Sequence, residues 1–312
     1  DLGSDTYANG KISNEKMDDL CHTLKEFSQI MESYKVIAYK AYGTSAIRET
    51  ENTLILQDQI EQRTGIRVEI LSNSEQRFLD YKSIASKGET FRRIIEEKTA
   101  ILDIGGGSIQ ISLFDKDTLV STQNLRLGVL RLQELLNHLN AGSTQMEQLV
   151  DELATAQLDD YKKLYLKDRE IKNIIIVDDY LSPWAVRKAH ERGDGNAMVD
   201  SKAFDQLMEA LRARGTTELA KRMDIAEEKV PLVYISAVLT KRIAELMGAA
   251  LIWAPGVTLC DGIAYEYAEQ NKLLRGEHDF AEDIIACAMN ISKRYNGSTR
   301  RADTLEHITT TI

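Results

Sequence analysis

Residues 99–114 read Thr99-Ala-Ile-Leu-Asp103-Ile-Gly105-Gly106-Gly107-Ser108-Ile-Gln110-Ile-Ser-Leu-Phe114, and this stretch restricts the fold of the chain most. Ala100 to Leu102 form a short apolar run. After the glycines, Ile109, Ile111 and Leu113 alternate with Gln110, Ser112 and Asp115. Alternation of that period belongs to strands, so two strands flank a glycine turn. Glycine has no Cβ, so three in a row can take positive φ, bring the backbone close to a ligand and aim several N–H groups at one anion. Asp103 enters the turn and Ser108 leaves it. Such a turn suits a phosphate group with a hydrated divalent cation beside it, although triple glycine between strands also serves as an ordinary flexible turn.

The rest of the chain alternates strands and helices, the order of an α/β fold. Ser13 is an acceptable N-cap for a helix carrying Leu20, Leu24, Phe27, Ile30 and Met31, and Tyr34–Ala41 reads as a strand. The strand delivers the chain to Thr44, Ser45 and Arg48 at a helix start, a setting that favours anions. A helix over 54–64 ends at Gly65, and Ile66–Leu71 alternates as a strand. Ser72 then opens a helix with Glu75 in its first turn, either as a capping carboxylate or as a reactive one. A domain boundary falls near Glu97. Beyond the glycine hairpin the spacing predicts a strand over 119–125, helices over 126–136 and 146–167, and a buried strand over 171–177. Helices over 202–223 and 232–247, a strand over 248–255 and a further helix follow.

Asp103-Ile-Gly-Gly-Gly-Ser108 resembles the second phosphate loop of the actin, sugar kinase and Hsp70 superfamily. More narrowly, it is similar to the exopolyphosphatase and guanosine pentaphosphate phosphohydrolase (Ppx/GppA) family, whose pattern there reads Asp-Ile-Gly-Gly-Gly-Ser-Thr-Glu. Thr44, Ser45, Ala46, Arg48 and Asn52 coincide in order with that family's Ala-Thr-Ser-Ala-x-Arg-x-Ala-x-Asn, and Gly128, Arg131 and Leu132 with its Leu-Gly-Ala-Val-Arg-Leu. Where the family reads Ile-Ser-Gly-Glu-Glu-Glu-Ala-Arg-Leu, this chain has Ser72-Asn-Ser-Glu-Gln-Arg-Phe78. The glutamate just before Ala-Arg is regarded as the base that activates water. Matching Glu-x-Arg gives that role to Glu75 with Arg77, which is the register adopted; an ungapped register places Gln76 there instead.

The resemblance implies two actin-like (ribonuclease H-like) α/β domains, 1–97 and 98–276, flanking a cleft, with 277–312 as the start of a helical HD-like C-terminal domain. It implies release of terminal phosphate from inorganic polyphosphate or from guanosine penta/tetraphosphate (pppGpp), with Mg²⁺ or another divalent cation. Thr44, Ser45, Arg48, Gly105, Gly106, Gly107 and Ser108 would grip the phosphates and Asp103 would order the metal's hydration shell. Glu75 would act as base, with Arg77 and Gln110 in support; paired chains are a further implication. Two departures qualify this. Gln110 stands where the family has Glu, and Asp178-Asp-Tyr-Leu-Ser-Pro-Trp184 replaces a Gly-x-Gly-Gly-Thr turn, which counts against a sugar kinase. The second reading is therefore a catalytically impaired polyphosphate- or nucleotide-binding regulatory protein.

Charge narrows the partners. A net charge of −10 over 312 residues argues against nucleic acid, whose phosphates are held by excess Lys and Arg, so a polyanionic substrate needs a locally basic site. Cys21, Cys260 and Cys287 are odd in number and widely spaced, which fits reduced thiols in the cytoplasm, and no apolar run approaches the roughly 20 residues of a membrane span. Asp1-Leu-Gly-Ser4 reads like the middle of a loop, so the expectation is a chain lacking the family's first phosphate loop and its natural end. His278-Asp279 is expected to be a helix cap.

Overall fold

The computed structural model describes residues 2–139, 143–193, 197–276, 278–298, 300, 301, 303, 304 and 307. Asp1, Glu277 and residues 308–312, which the sequence analysis uses as boundaries, lie outside them. The N-terminal part runs α1 (Gly3–Asn9), α2 (Asn14–Ser33), β1 (Tyr42–Gly43), α3 (Ser45–Glu49), α4 (Thr53–Thr64), β2 (Glu69–Ile70), α5 (Asn73–Ala85) and α6 (Glu89–Ile95). The glycine hairpin follows as β3 (Thr99–Ile104) and β4 (Ile109–Asp115), then β5 (Thr118–Leu125), α7 (Val129–His138), α8 (Ser143–Tyr161) and β6 (Asn173–Asp178). The remainder is α9 (Ser182–Glu191), β7 (Met198–Asp200), α10 (Ser201–Ala213), α11 (Thr216–Met223), α12 (Val230–Met247), β8 (Leu251–Trp253), α13 (Leu259–Gln270) and α14 (Phe280–Arg294).

The larger sheet has the order β5-β4-β3-β6-β8-β7. Its first three strands form an antiparallel meander, and β6 and β8 then add in parallel on the far side of β3. That is the actin-like, ribonuclease H-like arrangement. β3 is buried on both faces. Ala100, Leu102 and Ile104 join a core with α7, α8 and α12, whereas Ile101 joins a second core with Tyr81, Ile84, Phe91 and Ile95 of α5 and α6. A strand covered by helices on both sides reads as a continuous apolar run, which is what 100–102 is.

Several sequence expectations shift. Tyr34–Ala41 is not a strand: Val36 N closes the end of α2 on Met31 O, and only Tyr42–Gly43 finds a parallel partner, in Glu69–Ile70. With so little ladder to join, Ile37 is left 99% exposed. The helix expected over 202–223 breaks into α10 and α11 because Arg214 and Gly215 are extended, and helix 126–136 starts only after Gly128. Tyr81, Ile84, Phe91 and Ile95 of α5 and α6 pack on the larger sheet, and Ile12, Met17, Cys21, Leu56, Ile60 and Ile66 form a separate N-terminal core.

The segment expected to begin a separate helical domain also packs on this sheet. Phe280 stacks on Tyr81 at 5.8 Å between ring centroids, and Leu119 N donates to Asp283 Oδ1 at 2.9 Å. Asp279 caps α14 through Ala281 N and Glu282 N. His278 is buried against Phe91 and Phe280 and bonded to Asp283 (2.6 Å) and Asp117 (3.2 Å). Burial pulls its pKa down, but the two carboxylates outweigh that and hold it above the usual 6.5. A raised folded-state pKa gives stability below about pH 6.5 that is lost as pH rises through the folded value. His278→Gln is therefore expected to lower the melting temperature more at pH 6 than at pH 9, read by thermal unfolding; an equal loss at both would refute the ion pairs. No described helix is long and apolar enough to cross a membrane.

Candidate active site

The glycine turn is built differently from the expectation of positive φ. Gly105, Gly106 and Gly107 all lie outside the left-handed region, and the missing Cβ serves close packing instead. A Cβ on Gly107 would stand 2.8 Å from the Tyr7 ring, and one on Gly106 2.8 Å from Leu130 Cδ1. The turn's carbonyls are all engaged: Gly105 O and Gly106 O accept from Val129 N and Arg131 N at 3.0 Å each, and Gly107 O accepts from Arg131 Nε at 2.9 Å. Gly105 N donates to Ser108 O. The N–H groups of Gly106, Gly107 and Ser108 find no acceptor among the described residues. The turn is thus a rigid loop with its acceptors turned to α7 and three donors in a row left over, the complement of an anion.

The Thr44–Arg48 segment lies next to it, and the residue joining them is one the sequence did not single out. Tyr7 of α1 donates from its hydroxyl to Ser45 Oγ at 3.0 Å while its ring touches Gly107 and stacks under the Arg131 guanidinium at 4.6 Å. Thr44 precedes α3 with its hydroxyl unused as a cap. Arg131 and Arg126 both pair with Glu49, and Arg48 stands beside it in α3. Arg48 is half-buried, donates to Leu71 O and Asn73 Oδ1 at 2.5 Å each, and has its pKa lowered by burial. It therefore ties α3 to the start of α5.

On α5 the geometry departs from the adopted register. Glu75 is exposed and completes a capping box: Ser72 N donates to Glu75 Oε2 at 2.8 Å and Glu75 N to Ser72 Oγ at 3.2 Å. The Ser72 bonds hold its carboxyl below the usual range. It lines a cavity with Phe78, Ile263 and Tyr267, and among the described residues its side-chain hydrogen bond goes to Ser72 and not to the glycine turn. The side chain that reaches the strand end is Gln76, whose Nε2 donates to Asp103 Oδ2 at 3.2 Å. A helix presents residues i and i+4 on one face, so Gln76 and Asp80 both face β3 whereas Glu75 points away.

Asp103 and Gln110 are opposite one another in the β3–β4 ladder, and Gln110 Nε2 donates to Asp103 Oδ2 at 3.0 Å. Arg77 Nε donates in turn to Gln110 Oε1 at 2.9 Å, which links both residues to the Asp103 side chain. The carboxyl of Asp80, only 3% exposed, lies within hydrogen-bonding range of Asp103. Burial raises Asp103 to about 6, which hydrogen bonds from Asp80 and Gln110 partly oppose. Asp80 is raised well above the ordinary carboxylate value, by burial first and then by Asp103. Two buried oxygens here, Gln76 Oε1 and Asp80 Oδ2, have no partner. Carboxylate and amide oxygens of this kind suit a hard divalent cation, although no group of three or more His, Cys, Asp or Glu among the described residues is placed to hold one.

The Asp178–Asp179 pair is divided. Asp178 is buried and caps α9, accepting from Leu181 N, Ser182 N and Ser236 Oγ, while Asp179 is exposed and raises the pKa of both Asp80 and Asp103. Asp80 and Tyr7 went unnoticed in the sequence. A carboxylate inside the run Phe78-Leu79-Asp80-Tyr81 was a visible signal for the first; nothing local marked the second.

The chain as a whole is similar to known proteins. The Cytophaga hutchinsonii exopolyphosphatase structure superimposes with a TM-score of 0.67 at 20% identity, covering 84% of this chain and 85% of that one. Exopolyphosphatase 1 of Mycobacterium leprae is 32% identical over 108 residues, 34% of this chain and 30% of that protein. The bifunctional 3-dehydroquinate synthase/phosphatase of Fusobacterium nucleatum is 24% identical over 172 residues, 52% of this chain and 25% of that protein. The chain thus spans about a quarter to a third of the length of these curated relatives. A model of the Ppx/GppA phosphatase family matches residues 1–270. With an actin-like sheet and a match over most of its length, the chain belongs to the Ppx/GppA phosphatase family.

Proposed function

We propose that this chain hydrolyses the terminal phosphoanhydride of inorganic polyphosphate or pppGpp. The observation that carries the reading is the row of three unengaged N–H donors at Gly106, Gly107 and Ser108, flanked by Ser45, Arg48 and Arg131 and backed by the Asp103 carboxylate. Phosphoryl transfer asks little covalent work of a protein: the phosphate must be held, its charge offset and a water aligned in line. The loop donors and Thr44 and Ser45 hold the terminal phosphate, and the arginines offset its charge. Gln76 Oε1, buried and unpartnered, accepts a hydrogen bond from the attacking water and orients it. Water oxygen bonds to the terminal phosphorus, the bridging P–O bond breaks, the shortened chain leaves with the bridging oxygen, and the proton lost by the water passes to a non-bridging oxygen of the transferred phosphate. Mg²⁺ or another divalent cation, held at Asp103, would supply charge neutralisation on the phosphate oxygens.

A second reading, binding without efficient turnover, is favoured by amides at Gln76 and Gln110 where the family pattern has acids. Orthophosphate release from polyphosphate and from pppGpp in Mg²⁺ separates the two: tight binding with no release of phosphate from either would remove the hydrolase reading. Because Glu75 is engaged as a cap, Glu75→Gln is expected to keep release within about threefold and to cost no more than ~1 kcal/mol of stability. A hundredfold loss of release would instead return the base to Glu75.

A further inference from the structure

Asp80 needs an explanation that stability does not supply. It is 3% exposed on the inner face of α5, and its Oδ2 has no partner. Gln76, one turn earlier on the same face of α5, donates to Asp103 Oδ2 at 3.2 Å, and the Asp103 carboxyl adds to the effect of burial on Asp80. Ionising a buried carboxyl is costly, and a second carboxyl beside it adds to the cost, so without a cation Asp80 favours its protonated form. Arg77 acts on it favourably, but its Nε is committed to Gln110.

We propose that Asp80 is a direct ligand of a divalent cation bound between α5 and the end of β3, with Asp103 as the second carboxylate. The proposal rests on the reading of the cleft given above for the cation's use, but its binding is separately measurable. Both glutamine amides donate to Asp103 Oδ2, which leaves Asp103 Oδ1 clear of either amide. Gln110 presents Nε2, a donor, toward Asp103, and a donor cannot ligate a cation. The added anionic oxygen has to come from across the strand end, and of the two unpartnered buried oxygens there, Gln76 Oε1 and Asp80 Oδ2, the second is the carboxylate. Two carboxylates and one divalent ion make a neutral set, and oxygen ligands are what Mg²⁺ and Mn²⁺ take.

The test is binding of Mn²⁺ alone to the full chain, followed by calorimetry and by the electron paramagnetic resonance of free Mn²⁺. Wild type is expected to bind Mn²⁺ and to melt at a higher temperature with it. Asp80→Asn, of the same shape, and Asp80→Ser, smaller and neutral, are each expected to weaken Mn²⁺ binding at least ~10-fold and to lose the melting shift. Without metal both are expected to melt at or above the wild-type temperature, since a costly buried carboxylate is gone. Asp80→Asn/Gln110→Glu is expected to regain Mn²⁺ binding, because a carboxylate oxygen then faces Asp103 from β4. Wild-type affinity in either single variant, or no Mn²⁺ binding by wild type, would overturn the proposal. Mn²⁺ binding that depends on Asp80, without phosphate release from polyphosphate or pppGpp, would support it while removing the hydrolase reading.

Discussion

Asp103→Asn is expected to reduce phosphate release by on the order of 10²–10³-fold while leaving the fold intact. Two amide donors, from Gln76 and Gln110, converge on Asp103 Oδ2. An Asn there offers one oxygen where a carboxylate offers two, and its NH₂ group carries no charge to hold a cation or oppose phosphate. Stability is expected to move the other way. The folded-state pKa of Asp103 is raised from 3.8 to about 6 by burial, so the protonated form is favoured in the folded chain. The stability it gives is full below about pH 4 and is lost as pH rises through 6. In metal-free buffer at pH 8, Asp103→Asn should therefore melt at or above wild type, and the gain should shrink by pH 4. Calorimetry at both values with a phosphate-release assay checks this; a variant that melts far lower at pH 8 would mean that Asp103 is structural.

Gly128→Ala is expected to be the most disruptive single methyl near the site. Its Cβ would lie 2.2 Å from Gly107 C and 2.3 Å from Gly106 O and Gly107 N. These are backbone atoms of the glycine turn, which cannot rotate away, so the turn must move off α7 and lose the Val129 and Arg131 bonds to Gly105 and Gly106. Overpacking of this kind costs ~1–3 kcal/mol, and a 1 Å displacement of positioning groups costs ~10²-fold in rate. Gly106→Ala is the control. Its Cβ meets the end of the Leu130 side chain at 2.8 Å, which can turn aside, so the loss should be far smaller. Equal activity of Gly128→Ala and wild type would show that the loop is not held in the way described.

Two of the residue expectations rested on local pattern and fared differently for a physical reason. The hairpin was legible because period-two alternation around glycine leaves a strand few alternatives. The helix bearing Glu75 was legible too, but which of its side chains entered the site was not. Adjacent residues on a helix point about 100° apart, so an error of one position moves a carboxylate from the strand end to solvent. Ser72 and Glu75 satisfied one another locally as a capping box, and that bond turned Glu75 outward. Tyr34–Ala41 failed for the opposite reason: its apolar residues suit a strand, but strands require a neighbour, which no local pattern supplies.

The sequence by itself determined the family, the glycine turn with Asp103, the neighbouring Thr44–Arg48 segment and the α/β order, because each is written in residues close together along the chain. Only the tertiary structure decided that Tyr7 joins Ser45 to Gly107, that Gln76 and Asp80 face Asp103, and that α14 closes one face of the sheet. The Gln76–Asp103, Tyr7–Ser45 and Leu119–Asp283 bonds join residues 27, 38 and 164 positions apart, and their partners are selected by helix phase and sheet packing. The hairpin that fixes the fold therefore also collects the site, but the carboxylate set around it is chosen by the helix laid across its end.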